Sequence, residues 1–256
     1  FKIDKYKLES KIKFNDLEIQ LKDINLNNYI PSYDNRIILK NGNIKFKINN
    51  SKKIELKLDS GFILNTNNEP RNLSLSFSKH NLREKYELFI DLIENEIIID
   101  EIDFINKKNN DLFLNIISSK NKNSFQLDKF KLFNDDNIFI LKNIKFEKNF
   151  KIKDFNKIEA KYYNKKKYFN DILISKNKNI IKITSKSYDG SSLIEENLKS
   201  KNKRKILDSF KNLNASIEID IKNVKLDKDF NLNNLIGKAK IVKNQIVNSD
   251  LSGKFD

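Results

Sequence analysis

The sequence predicts an all-β protein, and three observations lead to that prediction. Apolar and charged residues alternate with a period of two through much of the 256 residues, as they do in strands with one dry face and one wet face. Turn signals rich in asparagine separate these stretches at intervals of about 8 to 14 residues, the spacing of consecutive short strands. Only about twenty residues fit a helical pattern, too few to form a second layer over a sheet. We therefore expect a mainly antiparallel sheet in which successive strands are neighbours.

The predicted strands follow one another from end to end. Their apolar positions, in chain order, are Tyr6, Leu8, Ile12 and Phe14; Leu17, Ile19 and Leu21; Ile44, Phe46 and Ile48; Ile54, Leu56 and Leu58; Leu73, Leu75 and Phe77; Phe125 and Leu127; Phe130 and Leu132; Ile144 and Phe146; Ile181 and Ile183; and Ile217, Ile219 and Ile221, followed by Val224 and Leu226. Turns are predicted between strands at Asn41-Gly42-Asn43, Ser60-Gly61, Asn65 to Asn68, Asn134 to Asn137 and Lys176 to Asn179.

Two segments compete as helices. Residues 82–97 fit both a strand and a helix, and we favour the strand. Ser192 and Glu195 have the spacing of a capping box, and Ile206, Phe210 and Leu213 then recur at helical intervals. We expect one or two short helices between residues 191 and 213.

No linker rich in Pro, Gly or Ser divides the chain, so residues 1–256 are interpreted as a segment of one long domain. A soft boundary near Lys107 to Asp111 allows a subdivision into 1–108 and 109–256. The chain begins with Phe1 and contains no Met, and we expect it to be a fragment of a longer protein. No stretch reaches the ~18 apolar residues of a membrane span, so any anchor is expected outside these residues.

The composition argues against catalysis. There is no Cys, one His, five Gly and two Pro, which excludes thiol nucleophiles and cysteine-bound metals and leaves no phosphate-cradling glycine loop. His80 has no partner His or Cys and is expected on the surface or in a turn. Acidic pairs such as Asp135-Asp136 lie in predicted turns, and adjacent strand residues point to opposite faces. We expect no enzymatic activity, no metal and no cofactor.

The net charge of +15 would suit a nucleic acid or an anionic surface. However, 46 Lys, 40 Asn and 38 Ile stand against 4 Arg, 3 Ala and 3 Val, which is the bias of an AT-rich genome. The lysines are also spread along the whole chain. Basic and aromatic side chains alternate from Lys161 to Phe169, as they do in proteins that bind single-stranded nucleic acid. However, we favour a hairpin whose loop runs from Asn164 to Lys167. The basic run Lys199 to Lys205 is interpreted as a solvated loop. Nucleic-acid binding therefore ranks third among the functions considered.

Strands with one apolar face need a cover. The sheet either folds on itself around a self-filled core, or forms an elongated, curled groove whose dry lining meets a ligand. Acyl chains suit a long apolar channel. The residues expected to line such a groove are Ile54, Leu56, Leu58, Leu73, Leu75, Phe77, Ile217, Ile219, Ile221 and Leu226.

The stretch from Ile180 to Asp256 carries a family resemblance that favours the groove. Asp189 and Leu193 match a D-x-x-x-L helix start after a strand. The strand from Ile217 to Leu226, the stretch ending at Gly237 and the Leu251-Ser-Gly253 run follow in the same order. This arrangement resembles the AsmA-like superfamily of Gram-negative bacteria, most closely its YhdP-like proteins. That family is usually richer in Leu, Ala, Gly and Arg, where this chain has Ile, Asn and Lys.

The resemblance implies a periplasmic β-groove, anchored in the inner membrane through a region outside these residues, that conducts phospholipids between the inner and outer membranes. The expected partners are phospholipid acyl chains within the groove and membranes at the ends of the full-length protein, with no nucleic acid. The alternative function is a structural or surface-interaction β-sandwich with a self-filled core.

Overall fold

The computed structural model describes residues 7–21, 26–49, 53–122, 124–192 and 209–256. Within them the protein is all-β: fifteen strands belong to one large, mostly antiparallel sheet, and two more form a small separate sheet. The large sheet is open, with β1 (Lys7–Gln20) at one end of the strand order and β17 (Gln245–Phe255) at the other. The predicted all-β, mainly antiparallel class is confirmed.

The chain divides into two compact units. The first comprises Phe1–Glu101 and Ile105–Asp135, and the second comprises Ile102–Phe104 and Asp136–Asp256. The soft boundary that the sequence indicates near residue 108 lies within the first unit.

In the first unit, seven long strands pair antiparallel in the order β1-β2-β3-β4-β5-β8-β9. They are β1 (Lys7–Gln20), β2 (Arg36–Asn49), β3 (Ile54–Ile63), β4 (Arg71–His80), β5 (Arg83–Asp91), β8 (Phe113–Asn121) and β9 (Ser124–Phe133). The short strands β6 (Ile97–Ile99) and β7 (Phe104–Asn106) form the small sheet. Residues 83–91 are thus a strand, as predicted, and His80 ends β4 opposite Arg83.

Two predicted turns of the first unit are wrong, because their residues lie inside strands. Asn41-Gly42-Asn43 falls within β2, where Asn41 has a φ of 51° and the register to β3 shifts between Lys40 and Asn43. The left-handed residue therefore makes a β-bulge instead of a hairpin loop. Gly42 lies under the Phe14 ring, which leaves no space for a side chain. Ser60-Gly61 falls within β3.

A buried core closes one end of the first-unit sheet. Residues 26–35, which precede β2, fold over that end, where the Ile98 N–H donates to Tyr29 O at 2.9 Å and the Asn65 amide donates to Ser32 O at 2.8 Å. Burial of apolar side chains is the main stabilising contribution at this end. Its buried apolar residues are Ile30, Tyr33, Leu39, Phe62, Ile63, Leu64, Leu92, Ile97, Leu112 and Leu132.

In the second unit, the long strands follow the order β10-β12-β13-β14-β15-β16-β17, and β11 pairs with β10. They are β10 (Ile138–Phe146), β11 (Ile152–Asp154), β12 (Lys157–Tyr163), β13 (Phe169–Asn177), β14 (Ile180–Asp189), β15 (Ala215–Lys225), β16 (Asn231–Val242) and β17 (Gln245–Phe255). β14 and β15 pair in parallel, unlike the other ladders of this unit. One or two short helices were predicted between residues 191 and 213, and most of that range, residues 193–208, lies outside the described residues. Ser191 and Ser192, at its start, are helical.

The second unit has apolar cores at both ends of its strands. At one end Phe104, Phe139 and Tyr162 are buried with ring centroids 4.9 to 6.1 Å apart. At the other end Phe155 contacts Phe210 at a centroid distance of 5.9 Å. Residues Ile144, Ile181, Leu213, Ala215 and Ile241 are buried in this unit as well. The β12–β13 connection is the hairpin that the sequence predicts, closed by the Asn164 N–H donating to Tyr168 O at 3.0 Å.

Candidate functional site

An apolar band crosses the strands of the first unit. Residues directly opposite on neighbouring strands share a face, so the strand registers define its rows. One row is Phe46, Leu56, Phe77, Tyr86, Ser118 and Leu127; the next is Ile44, Leu58, Leu75, Leu88, Ile116 and Phe130. We call these two rows the first-unit band. Neither row contains a charged side chain. Six strands at spacings of ~4.8 Å give the band a length of about 24 Å.

The side chains of this band are half-buried, except that Ser118 is buried. Adjacent side chains on the same face cover the sides of each band residue. The outer surface of the band is not covered by a second layer, unlike the side chains of a core. In contrast, Phe62 is 2 % exposed and Leu112 0 % exposed where the loops close the end of this sheet. On β1, Leu8 and Ile12 extend the same apolar face, opposite Ile48 and Ile44, and both are more than half exposed. The band is therefore an apolar surface with partial access to solvent.

The second unit has a matching band on β12 to β17. Its longest row is Ile158, Ile174, Ile183, Ile219, Gly237 and Leu251, and beside it lies the row Ala160, Ile172, Ser185, Ile221 and Leu235. We call these two rows the second-unit band. Its isoleucines are half-buried, whereas Leu251 on the last strand is 53 % exposed. The buried cores at the two ends of the strands confine this band to their middle.

The structure places nine of the ten predicted lining residues on apolar faces. Leu56, Leu58, Leu75 and Phe77 form the centre of the first-unit band. Ile54 and Leu73 border it, because Ile54 lies opposite Lys79 and Leu73 opposite Ser60. Ile219 and Ile221 belong to the second-unit band, and Ile217 lies in the adjoining row opposite Ile181 and Ala239.

Leu226 lies apart from that face. β15 ends at Lys225, and the Leu226 N–H donates to Phe230 O at 3.0 Å in the turn that leads to β16. The structure therefore does not bring Leu226 together with the three isoleucines of β15.

Sequence reasoning left several members of the bands unassigned, although most of them lie in stretches with visible alternation. The missing information was the pairing of strands, since register decides which alternating residues meet in a row. The residues added by register include Phe46, Tyr86, Leu88, Ile116, Phe130, Ile172, Ile174, Ile183, Leu235 and Leu251.

The opposite face of the second unit is charged. A depression of about 320 Å³ lies there around Leu173. Three acidic and three basic side chains border it, so their formal charges balance. They are Glu159, Asp171, Asp220, Lys161, Lys186 and Lys222. Glu159 pairs with Lys157 at 2.7 Å and Lys161 at 3.6 Å, and these lysines hold the pKa of Glu159 below its ordinary value. Among its lining residues, Leu173 alone has a pure hydrocarbon side chain.

A buried polar network joins the β12–β13 hairpin to the end of β14. Asp189 accepts hydrogen bonds from the Ser191 hydroxyl at 2.6 Å, the Ser191 N–H at 3.0 Å and the Asn164 amide at 2.9 Å, and its own N–H donates to Asn170 Oδ1 at 2.8 Å. Burial alone would raise the pKa of Asp189, but the hydrogen bonds from Ser191 and Asn164 outweigh it, so the pKa is lowered. Both oxygens of the carboxylate therefore accept hydrogen bonds from neighbouring parts of the fold.

Nowhere in the described residues do three or more Asp, Glu or His side chains form a group that could hold a metal ion. No helix among them is long and apolar enough to cross a membrane. Comparisons with protein-family models, with curated proteins and with solved structures found no match to this chain.

Proposed function

We propose that this chain is a non-enzymatic segment of a β-sheet surface that conducts phospholipids, with acyl chains lying along the apolar bands. The observation that carries the proposal is the pair of uncharged, mostly half-buried rows in each unit, which cross six strands in the first unit and six and five strands in the second. A continuous apolar surface of this kind marks an interaction site in a protein that stays in solution.

The dimensions of the bands suit an acyl chain. Half of a bilayer's hydrocarbon core is about 15 Å thick, and each band runs for about 24 Å across its strands. The two rows are about 7 Å apart, twice the rise per residue, so a chain lying between them contacts side chains on both sides. If half of the surface of each methylene is removed from water, a chain of ~14 methylenes is stabilised by roughly 6 kcal/mol. Such binding holds a lipid and still allows it to move.

The wider setting of the proposal rests on the resemblance to AsmA-like proteins. It comprises a periplasmic location, an anchor in the inner membrane outside these residues, and membranes at the ends of the full-length protein. In this chain, the matching positions that the structure describes belong to β14 to β17, which contribute four of the six strands of the second-unit band.

A matched pair of variants tests the proposal. Leu75→Asp places a charge in the centre of the first-unit band, whereas Ser76→Asp places the same charge on the opposite face of β4. The protein is purified without detergent, and the bound lipid is extracted and measured by mass spectrometry. We expect phospholipid with the wild type and with Ser76→Asp, and a loss of most of it with Leu75→Asp. Wild-type protein free of lipid would contradict the proposal and favour a structural protein with a self-filled core.

A further inference from the structure

Two basic side chains lie at one end of the first-unit strands, beyond the apolar rows. Lys120 lies near the end of β8 and Lys122 lies in the turn that follows β8. We call these two residues the basic rim. Both are exposed, and among the described residues neither has a carboxylate within ion-pair distance. Arg83 begins β5 next to Glu84, but adjacent strand residues point to opposite faces, so Arg83 lies on the other face of the sheet.

The acidic residue beside the rim is already neutralised. Glu84 accepts a hydrogen bond from Lys79 Nζ at 2.8 Å and another from the Tyr86 hydroxyl at 2.8 Å. These contacts lower the pKa of Glu84, so the carboxylate stays ionised and paired. The charges of Lys79 and Glu84 therefore cancel, and the rim keeps an excess of positive charge from its two lysines.

The rim continues the face that carries the band. Lys79, Glu84 and Lys120 form the row next to Phe77, Tyr86 and Ser118 on the same three strands. Adjacent rows on one face are about 7 Å apart. The other end of these strands is closed by the buried core that includes Phe62, Leu92 and Leu112. Along the strand direction, the buried core therefore borders the first-unit band on one side and the exposed basic rim borders it on the other.

We infer that the basic rim binds the anionic headgroup of an amphiphile whose acyl chain lies on the first-unit band. This inference rests on the proposed function and adds to it a substrate class and an orientation. A phosphate beside the rim meets Lys120 in the row just beyond the apolar rows and Lys122 in the turn that follows. An uncharged lipid can use the band but gains nothing from the rim.

Two double variants test the inference by isothermal titration calorimetry below the micelle concentration. Lys120→Gln/Lys122→Gln removes two rim charges. Lys45→Gln/Lys57→Gln removes two charges from exposed lysines on the opposite face of the same unit, where the two lysines lie directly opposite each other. The probes are lysophosphatidylglycerol, a monoacylglycerol with the same acyl chain, and glycerophosphoglycerol, which has no acyl chain.

We expect the rim variant to bind lysophosphatidylglycerol at least about fivefold more weakly than wild type, since each lysine near an anionic lipid contributes on the order of a fivefold factor. The affinity of the control variant for lysophosphatidylglycerol should fall less than twofold, roughly the size of a diffuse charge effect. The affinity for monoacylglycerol should be unchanged in both variants. If both variants lost the same affinity for lysophosphatidylglycerol and still bound monoacylglycerol, the headgroup site would be overturned but the proposed function would not. Glycerophosphoglycerol binding as tight as that of the lysolipid would make the rim a free phosphate site and overturn the orientation. If neither lipid binds the wild type, the proposed function fails as well.

Discussion

The buried carboxylate of Asp189 gives a prediction about stability that depends on hydrogen-bond geometry. In Asp189→Asn the side chain keeps its shape but presents an NH₂ group where one carboxylate oxygen accepts from the Asn164 amide. Asn164 cannot rotate to compensate, because its own Oδ1 accepts from the Lys166 N–H at 3.1 Å and the Tyr168 N–H at 2.8 Å. Two donors then face each other in a site where Asp189 is 4 % exposed.

The expected cost of Asp189→Asn is about 2–4 kcal/mol, from one charged hydrogen bond lost and two from Ser191 weakened. Chemical unfolding followed by circular dichroism and tyrosine fluorescence measures it. The control is Asp227→Asn, since the exposed Asp227 accepts from the Asp229 N–H at 2.7 Å and the Phe230 N–H at 2.9 Å, and an amide oxygen can accept both. That change should cost less than about 0.5 kcal/mol. Equal stability of the two variants would refute the account of the network.

The same carboxylate sets the sign of a pH dependence. The pKa of Asp189 is lower in the folded protein than its ordinary value near ~3.9. Its contribution to the free energy of unfolding is therefore complete above that ordinary value and is lost as the pH falls through the folded pKa. The difference in stability between wild type and Asp189→Asn should shrink below about pH 4. A difference that grows with acidity would show that the carboxylate is not stabilised in its ionised form.

Two further predictions concern backbone positions, and both are measured as changes in the free energy of unfolding. Gly237→Ala should lower the free energy of unfolding by about 1–3 kcal/mol, because a Cβ there would lie 2.3 Å from Asp250 O and 3.0 Å from Leu251 Cα. Gly190→Ala is the control. The nearest atoms to a Cβ at Gly190 are 3.5 Å away, so this change should alter stability by less than about 0.5 kcal/mol. Lys178→Gly should raise stability by about 0.5–1 kcal/mol, because Lys178 has a φ of 52° in the β13–β14 turn and glycine adopts this conformation without strain; a loss of stability would contradict that reasoning.

Alternation in the sequence was enough to predict the all-β class and many of the strands, because a half-buried strand must place its apolar residues on one face. It was not enough to separate turns from bulges. Asn41-Gly42 has the composition of a hairpin loop, yet asparagine and glycine equally suit the left-handed residue of a bulge and the close approach of the Phe14 ring. Only the pairing of β2 with β3 distinguishes the two.

The sequence was enough to predict that the candidate site is an apolar face of the sheet, but not to predict all of its residues. The isoleucines of β15 alternate so regularly that their shared face follows from the sequence alone, but Leu226 falls beyond the end of the strand. The parallel pairing of β14 with β15 depends on a connection whose path local sequence does not specify. The burial of Asn170, at 0 % exposed, depends on Asp189 nineteen residues away, and no local pattern signals such a contact.

The most direct test of the central claim is site-resolved photocrosslinking along β15. A photoreactive amino acid is placed in turn at Ile217, Glu218, Ile219 and Asp220, and capture of phospholipid is measured at each position by mass spectrometry. The face assignment predicts alternation with a period of two, with capture at Ile217 and Ile219 and little at Glu218 and Asp220, because the isoleucines continue the apolar face of β14 and the acidic residues lie on the charged face. Capture with the opposite phase, or equally at all four positions, would contradict the claim that acyl chains lie on the apolar face.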